Sequence, residues 1–137
     1  KGVAVRGYAS AGAGGREHIT TIYSISLEGM TLCFLGPLAS TALPAGATQE
    51  LDAVDILFLP IGGDEVLDHR DAYKLAVQLG PKVVVPMHYP SASPGQAAEL
   101  KAFLKEAGAE GVEPQEKYTV KKKDLEGKEG EVVVLSA

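Results

Sequence analysis

Residues 54–90, VDILFLPIGGDEVLDHRDAYKLAVQLGPKVVVPMHYP, constrain the fold of this chain more than any other stretch. The run 54–61 is apolar without alternation, the pattern of a strand covered on both faces. A Gly62-Gly63-Asp64 loop follows. Asp68 is placed to cap a helix over 69–79, with Asp71 three residues on, where a capping box carries Glu or Gln. Tyr73, Leu75, Ala76 and Leu79 give that helix an apolar stripe, and Gly80-Pro81 stops it. Residues 83–86 form a second buried strand that leads into His88. The unit is strand–helix–strand, which predicts an α/β fold and delivers one imidazole to a strand end.

The flanking sequence adds strands on one side and a helix on the other. Residues 3–8 read as a short strand, and 9–15, ASAGAGG, as a loop, since glycine at that density holds regular structure only at a cost. Residues 20–27 alternate and are β-branched, Glu28-Gly29 turns the chain, and 30–35 return, so these make a β-hairpin. The stretch 36–49 is a Pro/Gly/Ala-rich loop. Pro94 suits the first turn of a helix that runs to about Ala107, before Gly108, with Ala98, Leu100, Phe103 and Leu104 on its buried side. Residues 116–120 read as a short strand and 131–135 as a terminal one. No repeat or linker divides the chain, so residues 1–137 are read as a single domain.

Composition excludes several classes. At 45% hydrophobic and 23% charged the chain is too apolar for disorder. No apolar run is long enough for a transmembrane helix, so no membrane role is expected. A net charge of -5 argues against nucleic acid, which calls for a basic face. The one basic cluster, Lys121-Lys122-Lys123, reads as a solvated turn. The single cysteine, Cys33, lies inside an apolar run, which makes it a core thiol and fits a reducing, cytoplasmic setting.

The candidate site is a rim. In open α/β sheets ligands bind beyond the carboxyl ends of the strands. If the apolar strands run parallel, Gly36-Pro37, Gly62-Gly63-Asp64 and His88-Tyr89 meet at one edge, so the rim candidates are Pro37, Gly62, Gly63, Asp64 and Tyr89, with His88 as the candidate metal ligand. Zinc needs three or four ligands, and only His18, His69 and His88 are available as imidazoles. His69 reads as a solvated first-turn residue and His18 as a surface residue. GAGGRE lacks the Lys-Ser/Thr of a phosphate loop, and no G-x-S-x-G elbow accompanies Ser10, Ser40, Ser91 or Ser93.

The runs TTIYSISLEGMTLCFLGPL, VDILFLPIGGDEVLD and GPKVVVPMHY together resemble the carboxyl-terminal half of the metallo-β-lactamase superfamily, over about residues 3–91. The nearer resemblance is to the zinc-dependent hydrolase branch related to ascorbate-phosphate lactonase. It implies a mixed β-sheet with helices on one face, one half of an αββα sandwich. It also implies a two-metal rim that hydrolyses ester, lactone or phosphate bonds through a metal-bound hydroxide. Matched position by position, His88 corresponds to the last metal histidine of the family. The family's H-x-H-x-D-H motif has no counterpart here. Its next histidine falls at Tyr8-Ala9-Ser10, and its bridging aspartate falls on Pro37.

Two readings follow. In the first the chain is a degenerate, non-catalytic binding or assembly module, with no catalytic or cofactor-binding residue. In the second it is part of a zinc-dependent hydrolase whose missing ligands lie in an absent amino-terminal segment or another chain. Either way a half-sandwich has an apolar inner sheet face, and leaving it wet costs about 25 cal/mol per Å2. The expectation is therefore pairing through that face, as a homodimer or with a complementary half-domain.

Overall fold

Alternation in one strand defines the two sides of the sheet. Ile22 and Ser24 are buried, whereas Tyr23 between them is exposed. The structure is a computed structural model that describes residues 2–12, 15–38, 43, 51–62, 66–87, 89 and 98–136, with backbone alone at 10–12, 15–19 and 52. Its strands are β1 (Val3–Gly12), β2 (Gly15–Leu27), β3 (Met30–Phe34), β4 (Ile56–Pro60), β5 (Val83–Met87) and β6 (Glu131–Val132). They form one sheet in sequential order. The first three make an antiparallel meander, and β3 to β6 run parallel. Between β2 and β3, Glu28 and Gly29 both take positive φ, as a two-residue I′ hairpin turn requires.

Helix α1 (His69–Leu79) crosses from β4 to β5, and α2 (Ala98–Glu106) follows β5. Asp68 caps α1 as its sequence suggests, its carboxylate accepting from the Asp71 amide at 2.8 Å. At the other end Gly80 adopts the left-handed conformation and donates its N–H to the Ala76 carbonyl at 2.9 Å. Asp68→Ala is expected to cost about 1 kcal/mol in urea unfolding, since it leaves first-turn amides unpartnered. The buried faces of both helices, with Leu75, Leu79, Leu100 and Phe103, pack into one cluster with Ile22, Cys33, Leu57, Leu59, Val84 and Val134. Both α-helices therefore cover the same side of the mixed sheet, as expected.

The opposite side differs from expectation. It is not left wholly bare. Met30, Ile56, Val83, Val85 and Val133 form a second buried cluster with Leu125, and Tyr118 and Val120 pack against it. The segment before β6 thus crosses over the sheet. It is pinned by the short 3-10 turn Lys122–Leu125, whose Lys122 ammonium donates to the Gly29 carbonyl. This crossing explains why 116–120 is not a strand. Its alternate side chains press down on the sheet face, so its backbone does not run beside an edge, and only the bridge Gln115↔Leu135 forms. The terminal strand is correspondingly short, two residues plus that bridge.

The other correction lies at 9–12 and 15; residues 13 and 14 of the expected loop lie outside the described residues. The strand pairing continues through Ala9, Ser10 and Ala11, with a register irregularity between Ala11 and Gly12. The local glycine penalty, about 1 kcal/mol per residue, is outweighed by continuation of the ladder.

Candidate functional site

The parallel run β3–β5 brings three chain segments to one end of the sheet. Beyond β3, the Leu35 amide donates to Phe58 O at 3.2 Å; beyond β4, the Ile61 amide donates to Met87 O at 3.1 Å. These bonds extend the ladders past the strands and carry Gly36-Pro37 and Gly62 onto the rim, with Tyr89 just past β5. β1 runs in the same direction as β3, each being antiparallel to β2. The residues after Tyr8 therefore approach the same end.

Gly36 is buried at φ 62, and a Cβ there would lie 3.1 Å from Thr20 Oγ1, so the tight turn into Pro37 needs glycine. Pro37 is exposed. Leu38 re-enters the core, and its carbonyl accepts from the Leu67 amide at 2.9 Å, which ties this loop to the approach of α1. Gly62 is half-buried. Tyr8 and Tyr89 are half-buried against the helix-side core, and burial pushes the Tyr89 phenol up, so it stays neutral. Gly63, Asp64 and His88 lie outside the described residues, as do Ser40, Ser91, Ser93 and Pro94; the side chains of Ser10 and His18 do also.

The chemistry available from the described rim is limited. Gly36, Pro37, Gly62 and Tyr89 offer no imidazole, carboxylate or thiolate. Among the described residues no group of three or more His, Cys, Asp or Glu side chains is placed to hold a metal. Cys33, one position before the end of β3, faces the core, and burial pushes its thiol up to about 12, so it is protonated and inert. The described donor set therefore does not fit zinc, which takes three or four N, O or S ligands.

Sequence reasoning missed a polar centre at the opposite end of the sheet. Asp55 is buried just before β4. Its carboxylate accepts from the Thr31 amide at 2.8 Å and pairs with the Lys82 ammonium at 3.1 Å. A lone acid inside VDILFLPI was the signal for it. Near it, at the amino ends of β5 and β6, lies a groove of about 660 Å3 bordered by Tyr73, Val77, Lys82, Phe103 and Lys128.

Residues 1–88 match the family model described as the beta-lactamase superfamily domain. The chain belongs to this family. Over 63 residues it is 43% identical to a UPF0173 metal-dependent hydrolase of Carboxydothermus hydrogenoformans, covering 46% of this chain and 27% of that protein. Over 90 residues it is 31% identical to a UPF0173 protein of Pyrococcus furiosus, covering 64% and 42%. Among solved structures, one from Thermotoga maritima, described as a Zn-dependent hydrolase of the metallo-β-lactamase superfamily, superposes with a TM-score of 0.71 at 25% identity. That match covers 97% of this chain and 64% of the other. A metallo hydrolase from Ignicoccus hospitalis gives 0.53 at 28% identity, covering 79% and 47%. The beta-lactamase superfamily fold of this chain is thus shared with longer proteins. Its matches span 27% and 42% of the length of the two curated relatives.

No described helix is long and apolar enough to cross a membrane.

Proposed function

We propose that this member of the beta-lactamase superfamily is a non-catalytic binding or assembly module, a pseudoenzyme that keeps the sheet and rim of the fold as scaffold. The observation that carries the reading is Pro37. It stands exposed in the loop after β3, where the resemblance places the bridging aspartate, and its side chain has no donor atom. Tyr8 supports it, since its ring packs on the helix-side core near the position of a family histidine. The lone, buried thiol suits a reducing compartment, the cytoplasm.

A second reading is favoured by the names of the relatives, which are metal-dependent hydrolases, and by His88 in the sequence. Here the chain is part of a zinc-dependent hydrolase of ester, lactone or phosphate bonds, with the missing ligands supplied by another segment or chain. Elemental analysis separates the two when it is run on the whole natural protein together with any chain that accompanies it. After equilibration with excess zinc and desalting, the non-catalytic reading expects zinc far below one per chain. Stoichiometric zinc that disappears in His88→Ala would overturn it.

A further inference from the structure

We draw no further inference here: the strongest candidate, the groove between α1 and α2 at the amino ends of β5 and β6, is bordered by Val84, Phe103 and Val132, which the chain itself already buries, and its Lys82 and Lys128 ammoniums already pair with Asp55 and Glu131, so nothing in the structure shows what would fill it.

Discussion

Leu125→Ala is expected to cost the fold about 3 kcal/mol, within the range for leucine truncation in a core. Leu125 has no exposed surface. It is the one side chain of the turn Lys122–Leu125 that reaches the cluster of Met30, Ile56, Val83, Val85 and Val133. Truncation leaves a cavity and also removes the anchor of the crossing segment, so Leu32 and Phe58 lose cover as well. Set against typical stabilities of about 5–15 kcal/mol, the loss is large. Urea unfolding should show a lower midpoint, and the dye ANS should bind the folded variant more than the parent. A cost under about 1 kcal/mol without added dye binding would mean that the segment is not packed on the sheet.

Asp55→Ala is expected to cost about 1.5–3 kcal/mol, because it leaves the half-buried Thr31 amide without its acceptor and removes a charge-assisted hydrogen bond. The Asp55 backbone is equally engaged. Its N–H donates to Thr31 O at 2.8 Å, and its carbonyl accepts from Lys82 and Val83 at 3.0 and 2.9 Å. One residue thus joins the starts of β3, β4 and β5. The ion pair itself contributes little, since the Lys82 side chain is 41% exposed and solvent screens it. Asp55→Asn keeps an acceptor for the Thr31 amide and should cost about 1 kcal/mol or less. Equal losses in the two variants, measured by urea unfolding, would mean that the ion pair and not the amide contact supplies the stability.

The candidate rim was legible because its elements are locally encoded. Asp68 and Gly80 bound α1 by capping chemistry that acts within one turn, and the unbroken apolar runs of β4 and β5 already implied strands covered on both sides. Their parallel direction then puts Gly36-Pro37, Gly62 and Tyr89 at one end. The absence of a metal-binding atom at Pro37 needed no structure. The polar centre at Asp55 was not legible in the same way. Thr31 and Lys82 lie 24 and 27 residues away, and nothing in their spacing announces that strand starts meet there.

The sequence alone determined the strand–helix–strand unit, the β2–β3 hairpin, the sides on which the helices are apolar, and the family resemblance. All of these follow from periodicity, caps and turns over a few residues. Tertiary structure decided the rest. Pairing with β2 carried β1 through a glycine-rich stretch that local propensity reads as a loop. Packing of Tyr118, Val120 and Leu125 onto the sheet turned an apparent strand into a cover. That packing covered the β4–β6 part of the face and left Val3, Val5, Tyr23 and Phe34 as exposed apolar side chains among the described residues. Which residues stay wet depends on how distant segments cross one another, and that information is spread over the whole fold.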